Sequence, residues 1–259
     1  MRTCLASGHR AAGVATLAML LLPCVARGGE TRSYRGNASD LKTGKPLYSE
    51  NHTEHYEGGK HVYSIVSYRD IAEKEVCRKV IVFRKSRCAP DFRIDDKRDG
   101  YMEGTVVTDG RYKLFTRNTS GEADRIKTYK IASPVVIDGG FDYFIRDNWA
   151  KLVGEGETLK FSFVVANKLD YVRFSVAKVG TETVAGIRCA TFKLAVTSLL
   201  AGLFVDPIYV AYGVERKRLM EFRGTSNIND SEGKSHKARI AFTYPWMKAS
   251  AASGAAKAK

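Results

Sequence analysis

The sequence predicts a mainly β domain: a large curved antiparallel sheet, or half-open β-barrel, of about ten strands packed on one long α-helix. Two observations carry this reading. From about Leu47 to Tyr244, apolar and polar residues alternate in short runs that end at Gly, Asp or Asn. One stretch only, Gly140 to Val153, shows helical spacing instead. A closed barrel of lipocalin type is the alternative, and the inserted helix favours the open form.

Before the domain comes an export signal. Arg2 and Arg10 precede an apolar run from Ala11 to Leu22, which ends at Pro23-Cys24-Val25-Ala26. Residues 1–26 are therefore read as a signal peptide cleaved after Ala26, which implies a periplasmic protein. A second reading takes Leu21-Leu22-Pro23-Cys24 as a lipoprotein signal in which Cys24 is acylated and anchors the chain to a membrane. No later stretch reaches the ~20 apolar residues of a membrane helix. The segment 27–46 is rich in Gly, Ser, Asn and charge and reads as a flexible lead-in; 47–247 reads as a single β-rich domain and 248–259 as a disordered tail.

Within the domain, His61 to Tyr68 places Val62 and Val66 on one face and Tyr63 and Ile65 on the other. Glu75 to Arg84 has an apolar centre at Val80-Ile81-Val82-Phe83 and reads as a central strand. Tyr101 to Thr108 and Arg111 to Arg117 form a hairpin through Asp109-Gly110, a pair suited to positive φ. The helix follows, with Phe141, Phe144, Ile145, Trp149, Leu152 and Val153 on one stripe and Arg146, Asp147 and Lys151 pointing away. Six further strands resume the alternation, with turns expected at Asn167-Lys168, Val179-Gly180 and Ala185-Gly186.

The formal net charge of +14 raises the question of nucleic acid. Lys160, Arg173, Lys193 and Arg239 are dispersed at alternate strand positions rather than clustered, so no nucleic-acid partner is expected. The same charge suits an anionic envelope surface. Cys77, Cys88 and Cys189 follow the signal; in an oxidising compartment Cys77 and Cys88 are expected to form a disulfide, with Cys189 a buried free thiol.

No catalytic residues, metal or cofactor are expected. The chain has no Gly-x-Ser-x-Gly elbow, phosphate loop, His-Glu-x-x-His or dinucleotide fingerprint. His52, His55 and His61 read as solvated edge-strand residues, because His52 and His55 fall on opposite faces of an extended segment. Asp91, Asp95, Asp96 and Asp99 alternate with Arg93, Lys97 and Arg98 and read as a charged surface loop rather than a calcium site. Ser198 to Pro207 is continuously apolar where its neighbours alternate; it reads as a buried connection or as a hydrophobic lid carried by Leu199, Leu200, Leu203 and Phe204.

Phe204-Val205-Asp206-Pro207-Ile208, Arg218 to Gly224, Ser226-Asn227-Ile228 and Phe141-Asp142-Tyr143-Phe144 with Asn148-Trp149 give the chain its resemblance. It resembles uncharacterised exported β-rich proteins of Gram-negative bacteria, which are distantly similar to the lipoprotein carriers LolA and LolB. That likeness implies a half-open barrel holding acyl chains against inner helices. The expected function is a lipid-binding or other hydrophobic-ligand-binding, carrier-like role, with Phe144, Trp149, Phe161, Phe163, Phe174 and Phe192 lining the cavity. The alternative is a non-catalytic envelope structural or interaction module in which the same residues are ordinary core. A third reading is a hydrolase whose site leaves no motif.

Overall fold

The computed structural model describes residues 29–197 and 206–247. The expected export signal, Cys24, the expected lid at Leu199, Leu200, Leu203 and Phe204, and the expected tail lie outside these residues.

Fifteen strands are present among the described residues. The first half of the chain contributes β1 (Glu30–Asp40), β2 (Pro46–Glu57), β3 (Lys60–Arg69), β4 (Glu75–Val82), β5 (Asp91–Asp96), β6 (Met102–Thr108), β7 (Arg111–Arg117) and β8 (Arg125–Tyr129). The second half contributes β9 (Val135–Ile137), β10 (Leu159–Val165), β11 (Asp170–Val184), β12 (Ile187–Val196), β13 (Ile208–Gly213), β14 (Leu219–Asn229) and β15 (Ser235–Thr243), with helix α1 (Gly140–Asp147) between β9 and β10. All belong to one sheet, ordered β8-β7-β6-β5-β4-β3-β2-β1-β15-β14-β13-β12-β11-β10-β9. Every pairing is antiparallel except that of β9 with β10.

Two meanders thus meet at a β1–β15 seam. The sheet curls until the turn between β10 and β11, residues Ala166–Lys168, packs against β6 and β7. There Tyr129 of β8 donates its hydroxyl to the Leu169 carbonyl at 2.8 Å. The outermost strands β8 and β9 do not pair; β8 is tied instead to the β10–β11 turn by a side chain, and the barrel stays half open. Among the described residues no helix is long and apolar enough to cross a membrane.

The mainly β class is as expected, but the strands number fifteen rather than about ten. The expected flexible lead-in is a correction: Glu30–Asp40 forms β1, paired on both sides, with β2 and with β15. Its apolar signal is sparse because only Tyr34, Gly36 and Ala38 face inward. Gly36 is needed there, since a Cβ would lie 2.8 Å from the Phe242 ring. The aspartate-rich stretch is also corrected, for Asp91–Asp96 is strand β5, and Asp96 is buried and paired with Arg98 at 2.5 Å. Val179-Gly180 is a register shift inside β11, not a turn. The Asp109-Gly110 hairpin is observed, with φ of 49° and 69° at its two turn residues.

The single long helix divides into α1 and a π-helical stretch, Ala150–Gly154. The wider turn is marked by Glu155 N–H bonding the Ala150 carbonyl at 3.0 Å. Its apolar stripe still reaches the sheet: Phe144, Ile145 and Leu152 are buried, while Phe141, Trp149 and Val153 are half-buried against β10–β13. Arg146 does not simply point outward; it bonds Asp142 at 2.9 Å. The start of α1 lies so close under the Cys88 carbonyl that a Cβ on Gly140 would sit 2.0 Å from that oxygen.

The Cys77–Cys88 disulfide is not present, and both thiols are free. Cys77 lies near the start of β4 and Cys88 beyond its end. At about 3.3 Å per residue, the strand holds them too far apart for the ~5.5 Å Cα separation a disulfide requires. Cys189 is a buried free thiol, as expected.

Candidate functional site

A cavity of about 310 Å³ lies between the concave face of the sheet and α1. Strand register shows what faces it. Reading across the sheet, Tyr34 pairs with His52, His52 with Val66, Val66 with Lys79, Lys79 with Ile94 and Ile94 with Glu103. The inner row of six strands therefore carries ionisable side chains where a filled barrel would carry apolar ones.

Lys79, Asp138, Glu103 and Asn227 converge on one polar centre. Lys79 Nζ is 3.0 Å from Asp138 Oδ2, and both side chains are buried. Asp138 opens the β9–α1 connection at φ 41°, where its Oδ1 accepts the Gly139 N–H at 2.7 Å. Asn227 reaches over from β14 and donates to Asp138 at 2.9 Å and to Glu103 at 3.5 Å. Burial alone would lower the Lys79 pKa, but Asp138 and Glu50 outweigh it and the net shift is upward. For Glu103, burial and then the Asp138 charge push the carboxyl up to about 7, against the pull of Lys79.

A second centre lies at the β1–β2 side. Arg218 bonds both oxygens of Glu54, at 2.8 and 3.4 Å, and Tyr56 donates to the same carboxylate at 2.8 Å. The Arg218 guanidinium also lies over the rings of Tyr34 and Tyr244, at 5.1 and 4.9 Å. Burial works to raise the Glu54 pKa, yet Arg218 and Tyr56 bring it below the usual carboxylate value. Nearby, His61 Nδ1 is 2.7 Å from the Tyr143 hydroxyl of α1, and burial lowers its pKa.

The solvated edge-strand reading of the histidines is corrected. β2 and β3 are interior strands; His52 and His61 line the cavity, and His52 lies 2.8 Å from Glu50. His55 faces the other way and stacks on Tyr63 with ring centroids 4.1 Å apart.

Of the six aromatic residues expected to line a cavity, Phe163 and Phe174 do so. Phe144, Trp149, Phe161 and Phe192 fill the space between helix and sheet: Phe144 packs on Phe161 with centroids 4.8 Å apart, and Trp149 on Phe192 at 5.6 Å. Apart from Phe141, the apolar stripe of the helix is thus core, and Phe141 faces the cavity with Asp142 and Tyr143. Glu50, Glu54, Lys79, Glu103, Asp138 and Arg218 were not anticipated from sequence as site residues. The signal that could have found them is charge at positions sharing parity with apolar neighbours, as Lys79 does with Cys77 and Ile81.

No protein-family model and no curated protein matches the chain. Among solved structures, it is similar to a β-barrel-like protein of the domain of unknown function DUF1849 from Brucella abortus, at 8% identity and TM-score 0.46, over 83% of this chain and 97% of that one. It is also similar to a DUF1329 family protein from Desulfovibrio piger, at 10% identity and TM-score 0.28, over 83% of this chain and 85% of that one.

Proposed function

We propose that the protein is a non-catalytic, carrier-like binding protein of the periplasm that holds a small amphiphile inside its half-open barrel. The observation that carries this is a cavity with an apolar wall and a buried polar centre. Phe163, Phe174, Leu194, Ile208 and Phe222 provide the wall; Lys79, Asp138, Glu103 and Asn227 provide the centre. A solvated face explains exposed charge but not charge sequestered beside empty space, where desolvation is costly unless the groups serve one another or a ligand. At about 310 Å³ the cavity stands at the lower end of the ligand-site range. That favours a single short apolar chain or ring over the paired chains of a membrane lipid.

The signal read at residues 1–26 supports export, and the resemblance to lipoprotein carriers supports the same reading. Native mass spectrometry and organic extraction of protein purified from its own compartment test it. A co-purifying amphiphile is expected, released on unfolding. Empty protein that also fails to bind a neutral solvatochromic dye overturns the proposal.

One observation favours a second reading, an envelope interaction module. Four of the six expected lining aromatics are ordinary core, and Lys160, Arg173 and Lys193 stand exposed on neighbouring strands β10, β11 and β12. Salt-sensitive binding to anionic vesicles by protein with no occupant would support it.

A further inference from the structure

The carboxylates of the cavity outnumber its cations. Glu50, Glu54, Glu103, Asp138 and Asp142 line it, against Lys79 and Arg218, although the whole chain carries +14. Three of the five carboxylates are paired with a Lys or Arg, Glu54 with Arg218, Asp138 with Lys79 and Asp142 with Arg146, and Glu50 lies 2.8 Å from the His52 ring. Glu103 has no such partner; no Lys, Arg or His forms an ion pair with it among the described residues. It is 4% exposed. Its surroundings are the Asp138 charge from the β9–α1 connection, Lys79 from β4, Asn167 from the β10–β11 turn, neighbouring Tyr101, and Asn227 from β14. Lys79 is bonded to Asp138, and the charges of Glu50 and Glu103 act on it as well, so it is shared among three carboxylates and forms an ion pair with Asp138.

From this charge inventory we infer that the ligand is a small cationic amphiphile, a protonated amine on an apolar body, whose ammonium pairs with Glu103. The inference rests on the binding reading above and specifies its ligand class. An ammonium has three donors and no acceptor, so it complements an unpaired carboxylate beside the acceptor-rich Asp138. A fatty-acid carboxylate would meet the Asp138 charge and a neutral Glu103, and the one cation beside them, Lys79, is already bonded to Asp138.

Binding also moves a proton. Empty, Glu103 is held largely protonated below neutrality by burial and by Asp138; an arriving ammonium favours the carboxylate, and the proton leaves to solvent.

Isothermal titration of the unliganded full chain with octylamine, octanol and octanoate tests this, each run near pH 6 in two buffers of different ionisation enthalpy. Octylamine is expected to bind about tenfold or more tighter than octanol, and octanoate weakest. Octylamine binding should release close to one proton per site near pH 6 and almost none near pH 8. Glu103→Gln should lose the preference for the amine together with the proton release. Wild-type protein supplies both readouts even where that variant fails to fold. Equal binding of octylamine and octanol, or tighter binding of octanoate, overturns the charge assignment and leaves the binding reading standing. If none of the three binds, the binding reading falls with it.

Discussion

Lys79 is the residue whose loss should cost the fold most among the cavity charges. Its ammonium is the one cation bonded to Asp138 among the described residues, and both side chains are nearly out of solvent, at 11% and 5% exposure. Lys79→Met would leave that carboxylate buried without a counter-charge. Denaturant unfolding should show a loss of about 3–5 kcal/mol, and adding Asp138→Asn should recover part of it. Glu103 gives a pH signature of opposite origin. Its folded pKa is raised from 4.5 to about 7, so between those values the folded chain keeps a proton that the unfolded chain has lost. This contribution to stability is present below about pH 4.5, falls as pH rises toward 7, and is gone above it. In unfolding measured across that range, Glu103→Gln should flatten the slope; an unchanged slope would contradict the assignment. Glu75 acts the other way: hydrogen bonds from Arg78, Lys97 and Ser67 lower it to about 2, so its contribution is lost only as pH falls from 4.5 toward that value. The one trace of these roles in the sequence, charge sharing parity with apolar neighbours, is ambiguous. In β4 both alternating sets mix charge with apolar residues, Cys77, Lys79 and Ile81 against Arg78, Val80 and Val82, so period two alone does not say which face turns inward.

At the level of elements, the strength of the local pattern decided what could be read. The Asp109-Gly110 hairpin and the stripe from Phe141 to Val153 carry dense, unambiguous periodicity, and both elements are present. The helix is shorter than expected because its second part widens into a π turn, which spacing alone does not reveal. β1 and β5 were missed because their inward residues include Gly36 and Asp96, which hydropathy assigns to loops. The cysteine pairing failed for a related reason: compartment chemistry permitted a bond that the length of β4 forbids. Burial raises the Cys77 thiol to about 12 and the Cys88 thiol to about 11. Alkylation of the native protein should therefore be slow at both, and slower at fully buried Cys77 than at half-buried Cys88. Intact mass should be the same with and without reductant; a gain of two hydrogens on reduction would restore the disulfide.

Across the whole molecule, the curved antiparallel class was legible because many short alternating runs and one helix leave few other architectures. The seam was not. Pairing of β1 with β15 joins residues about two hundred positions apart in sequence, and no local signal encodes a contact of that separation. That seam places Tyr34 beside Tyr244 and Arg218 and brings Asn227 of β14 across to the polar centre built on β4 and β6. The cavity is thus a product of topology, assembled from both meanders. Whether this interior is a binding site is tested most directly by fluorescence titration of a neutral solvatochromic dye into unliganded wild-type protein and into Val165→Trp, a substitution placed on the cavity wall. Wild-type protein should show saturable one-to-one binding with a blue-shifted emission, and the variant should lose it with the far-ultraviolet circular dichroism unchanged. Equal binding by the two proteins, or binding that never saturates, would place the dye elsewhere and contradict a binding site in this interior.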